Sequence, residues 1–159
     1  MTKYAASTDV SSDRSRAEIE KTLTRYGARQ FMYGWDEDRA IVGFTINDRQ
    51  VRFVLPMPDR ADREFTMTPT GRARAANQVR EAYEQAVRQR WRALALVIKT
   101  KLEAVDSGIV TFDAEFLAHL MLPDGRTVGD HVVPGVAEAH ETHQMPALLP
   151  NYSQKALTA

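Results

Sequence analysis

Arginine side chains crowd into the middle of the chain in a pattern that suits contact with nucleic-acid phosphates. Residues 88–92 read RQRWR, which places Trp91 among three arginines. Cations beside an aromatic ring can contact phosphates and bases together. The residues that we predict to bind nucleic acid are Arg72, Arg74, Arg88, Arg90, Arg92 and Lys99. The alternative is a solvated arginine surface with Trp91 packed inward.

Charge is segregated along the chain although it cancels overall, with 21 basic and 21 acidic residues. Residues 72–101 contain eight basic and two acidic side chains, whereas residues 102–151 contain one basic and eight acidic ones. Two interpretations follow. Either the acidic segment folds back over the basic one, so that the charges pair or are solvated, or the basic surface is open to phosphates, whose binding weakens as salt rises.

A second aromatic group lies in the segment FMYGW, where Phe31, Tyr33 and Trp35 alternate with Met32 and Gly34. Alternation puts the three rings on one face of a strand. Exposed rings of this kind stack on unpaired bases. A small sheet that faces a helix also needs large side chains inside, so core packing is the competing interpretation.

The sequence gives little support for a metal site or a catalytic site. His140 and His143 are three residues apart in EAHETH, which could bring two metal ligands together on a helix, but ordinary polar surface near the chain end is the favoured interpretation. His119 and His131 fit half-buried, hydrogen-bonded histidines. The chain has no cysteine, and it lacks the phosphate loop, the dinucleotide fingerprint and the serine nucleophile elbow. We therefore predict no catalytic residue, metal or cofactor, and favour a non-enzymatic protein over an enzyme.

Hydrophobic periodicity predicts an α+β fold. A first helix is expected to start near Ser12, with Ser15 and Glu18 as a capping box, and to end at Gly27. Three alternating strands follow in residues 30–55, and the Asn47-Asp48 pair marks a turn. Residues 75–107 then contain neither proline nor glycine and predict one long amphipathic helix. We expect a three-stranded antiparallel meander packed on that helix, which alone covers the sheet.

The rest of the chain predicts short C-terminal helices. Asp113 is expected to cap one helix, and Thr127 another that Pro134 bends or divides. The predicted organisation is a flexible N-terminus (1–11), a single α+β domain (12–144) and an irregular C-terminal tail (145–159). No segment reads as a signal peptide or membrane span, so we expect a cytoplasmic protein. The long helix could also pair with its copy in a homo-oligomer.

Several strings together resemble a small, functionally uncharacterised family of tailed-phage and prophage genomes: SSDRSRAEIEKTL (11–23), FMYGW (31–35), RQVRFVLPMPDR (49–60), RQRWRALALVIKTKLEAV (88–105), FLAHLMLPDGRTVGD (116–130) and MPALLP (145–150). The resemblance implies a phage-encoded accessory protein that acts in a bacterial host cell, and it supplies no catalytic residues. A meander followed by a long helix is also similar in topology to single-strand annealing proteins, although no motif is shared and fold alone does not establish function.

Two functional hypotheses stay open. In the first, the protein binds nucleic acid, with single-stranded DNA in phage replication or recombination as one candidate ligand. In the second, it is a protein-binding module, such as an inhibitor or adaptor of a host factor, that uses its acidic C-terminal part or the proline-bearing loop after the third strand.

Overall fold

The computed structural model describes the backbone of residues 3–149 and the side chains of residues 12–149. Along the chain the elements are α1 (Lys3–Arg25), β1 (Gln30–Trp35), β2 (Arg39–Ile46), β3 (Arg49–Pro56), α2 (Arg63–Thr66), α3 (Ala76–Asp106), α4 (Phe112–Glu115), a 3₁₀ turn (Leu117–His119) and α5 (Val128–Thr142). The predicted α+β fold, with three antiparallel strands and a long helix, is confirmed. None of the helices in the described part of the chain has the length and apolar character needed to span a membrane.

The sheet has the order β1-β2-β3, with β2 in the centre. β1 and β2 pair so that Tyr33 lies opposite Val42, and β2 and β3 pair so that Val42 lies opposite Phe53. Asn47 and Asp48 both have positive φ, 52° and 58°, which is the backbone that a two-residue hairpin turn of type I′ requires. The predicted meander and its second turn are therefore confirmed.

α3 is a continuous helix of 31 residues, about 46 Å long at 1.5 Å per residue. Its buried side chains recur every three or four residues and include Tyr83, Val87, Trp91, Ile98 and Leu102. Gly108 follows the helix with a φ of 77°, as expected for a left-handed residue that ends it. The central prediction of an unbroken helix that buries its apolar side within one chain is confirmed.

The core, however, is not closed by α3 alone. Ile19 and Leu23 of α1 are buried, and α1 packs along α3. On the β3 side Phe116 is 0% exposed, and its ring lies 4.6 Å from that of Phe112 and 6.0 Å from that of Phe44. The prediction that the long helix covers the sheet by itself was wrong, because α1 and the segment around α4 contribute buried apolar side chains too.

Several helix boundaries differ from those predicted. α1 begins at Lys3, so Ser15 and Glu18 lie inside it rather than at its start, and the helix includes most of the segment predicted to be flexible. Thr111, not Asp113, caps α4: its hydroxyl accepts from the Ala114 N–H. Thr127 caps α5 as predicted, in a reciprocal capping box with Asp130.

The C-terminal part of the described chain ends with α5 and irregular residues after it. α5 runs through Pro134 without being divided. Residues 145–149 contain no helix or strand, and the rest of the predicted tail, residues 150–159, lies outside the described residues.

Candidate nucleic-acid interface

The predicted cations of α3 lie on two different sides of the helix. Arg88 and Arg92 are four residues apart and Lys99 follows seven residues later, so all three project from one flank at about 100° per residue. Arg90 is two residues from Arg88 and from Arg92, which puts it on the opposite flank, and its guanidinium donates to the Pro56 carbonyl at the end of β3. Sequence spacing alone already implies this separation, although the prediction grouped the four together.

Arg72 and Arg74 precede α3 in a small antiparallel turn. The Thr68 N–H donates to the Arg72 carbonyl at 2.7 Å, and the Arg74 N–H donates to the Thr66 carbonyl at 2.9 Å. The turn is about 20 Å along the helix axis from Arg88, because more than twelve residues separate them. The six predicted residues therefore do not form a single patch. Arg88, Arg92 and Lys99 form one exposed row, which we call the cationic row.

The acidic side chains of the C-terminal segment form ion pairs with basic residues outside the cationic row. Within the described residues, its ion pairs with arginine and lysine join Glu103 to Arg25 (3.7 Å), Asp113 to Arg49 (3.2 Å), Glu115 to Lys101 (2.8 Å) and Asp130 to Arg52 (2.9 Å), and Asp124 lies 2.6 Å from His131. In residues 12–149 no carboxylate lies within ion-pair distance of the cationic row. The interpretation that the acidic segment folds back over the basic helix is thus wrong for that row, since the segment instead neutralises the sheet, α1 and the C-terminal half of α3.

The aromatic side chains of β1 are more exposed than core residues. Tyr33 is 41% and Trp35 56% exposed, and only Phe31 is half-buried. The rings of Tyr33 and Trp35 stack with centroids 5.7 Å apart and planes 15° apart. Core packing, the interpretation that competed with base stacking, therefore holds for Phe31 but not for Tyr33 and Trp35. The physical reason is that β1 is an edge strand, and the helices cover its inward face incompletely.

Arg16 of α1 lies between the strand and the long helix. Its side chain is buried, with the residue 7% exposed, and forms an ion pair with Asp13. Its guanidinium carbon lies 4.8 Å from the Tyr33 ring, 5.6 Å from the Trp35 ring and 5.7 Å from the Trp91 ring. Cations attract aromatic faces at these distances. One buried cation thus holds the β1 rings near the turn of α3 that bears Arg88 and Arg92.

Sequence reasoning missed Arg16. The only available signal was its position three residues before Ile19 and seven before Leu23, which places it on the buried side of α1. The prediction that Trp91 packs inward is confirmed, since Trp91 is buried. Trp91 can therefore stack on Arg16 but not on a ligand, and the exposed rings of the site are Tyr33 and Trp35.

An acidic turn borders the exposed rings. The Asp36 carboxylate accepts from the N–H groups of Asp38 and Arg39, both at 2.9 Å, and these bonds lower the pKa of Asp36. The Arg39 side chain lies 3.5 Å from the same carboxylate. Asp36 is therefore ionised near neutral pH. Its negative charge repels other anions at this end of β1.

The histidines do not converge on a metal site. His119 is half-buried and stacks on Phe53 with ring centroids 4.0 Å apart; burial and the Lys101 charge lower its pKa. His131 lies 2.6 Å from an Asp124 carboxylate oxygen. Both are the satisfied histidines that the sequence predicts. His143 ends α5 in a left-handed conformation, and no cluster of three metal-ligating side chains occurs among the residues that the structure describes.

An open hollow of about 370 Å³ lies at the β2–β3 turn, lined by Asn47, Arg49, Thr111, Phe112 and Asp113. Arg49 donates to both Asp113 carboxylate oxygens, at 3.2 and 3.3 Å, so its guanidinium is engaged within the chain. The β2–β3 turn is at the end of the sheet opposite to Trp35.

Comparison of the chain with family models, with curated proteins and with solved structures finds no match.

Proposed function

We propose that the protein binds single-stranded nucleic acid, with unpaired bases on Tyr33 and Trp35 and phosphates on Arg88, Arg92 and Lys99. The observation that carries the proposal is the pair of stacked, exposed rings, which Arg16 connects to Trp91 in the turn of α3 that bears Arg88 and Arg92. Every base has a π-face that can stack on a ring, and each stacked base contributes about 1–3 kcal/mol.

The preference for a single strand follows from the accessibility of the rings. Bases in a duplex are stacked on one another, so they cannot cover Tyr33 or Trp35 without leaving the helix. The cationic row extends over eleven residues, or about 16 Å along α3, and its contacts carry no base specificity. The protein should therefore bind a few nucleotides of either DNA or RNA with little sequence preference.

The direct test measures binding of a labelled oligothymidine by fluorescence anisotropy at about 50 mM salt, where phosphate contacts are strong. Replacing Trp35 with alanine should weaken binding about tenfold, because one stacked base is lost. Met32→Ala is the matched control: Met32 is 74% exposed and lies three positions before Trp35 on the same strand, on the other face of the sheet. It should leave the affinity unchanged.

The outcome separates the alternatives. Absence of oligothymidine binding by the unaltered protein would refute the proposal. Equal losses from Trp35→Ala and Met32→Ala would show that the rings act through the fold and not through stacking. Binding of a blunt duplex as tight as that of the single strand would also contradict the role given to the exposed rings.

A protein-binding role is the second candidate, and one observation favours it. No residue of α5 is fully buried among the described residues, and the helix exposes Val133 and Val136 three residues apart, an apolar pair on one helical side. Val133→Glu together with Val136→Glu should abolish capture of a host protein while leaving oligothymidine binding unchanged. The opposite pattern would favour nucleic acid as the ligand.

The biological setting is proposed on the sequence resemblance alone. It supports a phage-type accessory protein in the cytoplasm of a bacterial host, where single-stranded DNA forms during replication and recombination.

A further inference from the structure

We propose that two copies of the chain pair antiparallel along the free edge of β1, so that their sheets join into one six-stranded sheet. The partner is a second copy, and the interface is the backbone of Phe31, Tyr33 and Trp35. This inference concerns assembly and stands apart from ligand binding.

The two edge strands of the sheet differ in how well they are protected from pairing with a further strand. The β3 edge carries Arg49, Arg52 and Pro56 and is partly covered, since Val51 bridges to Leu120 and the Met121 N–H donates to the Gln50 carbonyl at 2.8 Å. β1 reads QFMYGW, without charge or proline, and its pairing with β2 contains no bulge. Charges, prolines, bulges and covering segments are the usual protections of an edge strand, and β1 has none of them among the described residues.

The hydrogen-bonding pattern identifies the outward groups. The Asp36 N–H donates to the Arg39 carbonyl at 2.9 Å, so Asp36 and Arg39 form a hydrogen-bonded pair. Such pairs alternate along an antiparallel ladder, so Met32 and Gly34 also direct their backbone groups toward β2. The N–H and C=O groups of Phe31, Tyr33 and Trp35 therefore point away from the sheet, and no residue in the described part of the chain bonds to them.

One register uses all three outward residues. A two-fold axis normal to the sheet at Tyr33 places Tyr33 opposite its copy and Phe31 opposite Trp35, and each such pair exchanges two hydrogen bonds. Roughly six hydrogen bonds result. On the other face, Met32 falls opposite Gly34, where no atom lies within 4 Å of a would-be Cβ, so the methionine side chain has room.

The charges at the two ends of β1 are complementary in this register. Arg29 of one copy falls beside Asp36 and Glu37 of the other, and the two-fold axis repeats the arrangement. Within one chain, Arg29 and Glu37 are at opposite ends of the strand, about 25 Å apart at 3.3 Å per residue. A change in one of them thus acts on the other only through a second copy. Where the proposed function also holds, the dimer doubles the row of rings available to a single strand.

A charge exchange tests the interface in the full chain by light scattering and sedimentation. The unaltered protein should have twice the mass of one chain. Arg29→Glu and Glu37→Arg alone should each weaken the dimer about tenfold, since two symmetric attractions become repulsions. The double variant should restore it. Tyr33→Pro should abolish the dimer without breaking the β1–β2 ladder, because the N–H that it removes points outward.

Each possible result either supports the proposed dimer or overturns it. A single-chain mass at every concentration up to about 1 mM, which would put the Kd of the dimer above about 1 mM, would overturn the proposal. A dimer dissociation constant that neither single charge reversal changes would place the interface elsewhere, for example along α3. Restoration by the double variant would support the register even if Tyr33→Pro failed to fold. Oligothymidine binding by a strictly single-chain protein would overturn this inference while leaving the proposed function intact.

Discussion

The cationic row makes a quantitative prediction about the salt dependence of binding. Replacing Arg88 and Arg92 with glutamine removes two charges from exposed positions without introducing a repulsive one. Neither side chain has an acidic partner in residues 12–149, so the free energy of unfolding should change by less than about 0.5 kcal/mol. The perturbation therefore acts on phosphate binding and leaves the fold as it is.

The magnitude follows from the number of cations in the row. Each phosphate contact with a single strand adds about −0.7 to the slope of log K against log salt concentration. Three contacts give a slope of about −2, so raising salt from about 50 to about 200 mM should weaken binding about 18-fold. With Lys99 alone remaining, the slope should be about −0.7 and the loss about threefold.

The assay is a titration of labelled oligothymidine by anisotropy at four or more salt concentrations. Arg90→Gln is the matched control, because Arg90 belongs to the same segment but lies on the opposite flank, where it donates to the Pro56 carbonyl. It should leave the slope at about −2. Equal slopes for the unaltered protein and the double variant, or an equal reduction by Arg90→Gln, would refute the assignment of phosphates to this flank.

Three further predictions concern the fold that positions the site. Phe116→Ala should lower the free energy of unfolding by about 3–5 kcal/mol in urea titrations, because it empties a fully buried site among three phenylalanine rings; a loss below about 1 kcal/mol would contradict the packing. Thr127→Ala should cost about 1 kcal/mol by removing the α5 cap, whereas Thr142→Ala, near the end of the same helix, should cost less. Because burial lowers the pKa of His119 below 6.5, the unfolded chain binds its proton first as pH falls. Stability should therefore decrease below about pH 6.5, by at most about 1.4 kcal/mol per pH unit, and His119→Phe should reduce that decrease; an unchanged pH dependence would show that His119 does not contribute.

The parts of the fold that were predictable depend on local patterns that nothing else overrides. β2 and β3 alternate strictly and are joined by Asn47-Asp48, residue types that tolerate the positive φ of the turn. α3 has an apolar repeat without proline or glycine over 31 residues. In these segments, propensity, period and turn chemistry agree, so the sequence is sufficient.

The predictions failed where the burial of a side chain depends on segments that are distant in the sequence. Tyr33 and Trp35 lie on the inward face of the sheet, as alternation indicates, but remain exposed because β1 is an edge strand. Alternation reports the face of a side chain and not how well that face is covered. Likewise, the burial of Arg16 depends on Asp13 and three rings from distant segments, and periodicity does not reveal such partners.

The charge pattern shows the same limit. Acidic and basic residues are segregated along the chain, but the acidic segment could pair with any basic side chain that folding brings near it. It selects Arg49 and Arg52 of β3 because residues 111–130 follow the β3 edge, which Leu120 joins as a bridge. Which cations remain unpaired therefore depends on the order of the strands in the sheet. That order cannot be derived from the amino-acid composition.

Photo-crosslinking of a bromodeoxyuridine oligonucleotide, followed by mass spectrometry of the peptides, tests the binding site most directly. Adducts are expected at Tyr33 or Trp35, with none at the buried Trp91. Adducts confined to α5 or to the acidic residues 102–130, or efficient adduct formation in a Tyr33→Ala, Trp35→Ala double variant, would contradict it.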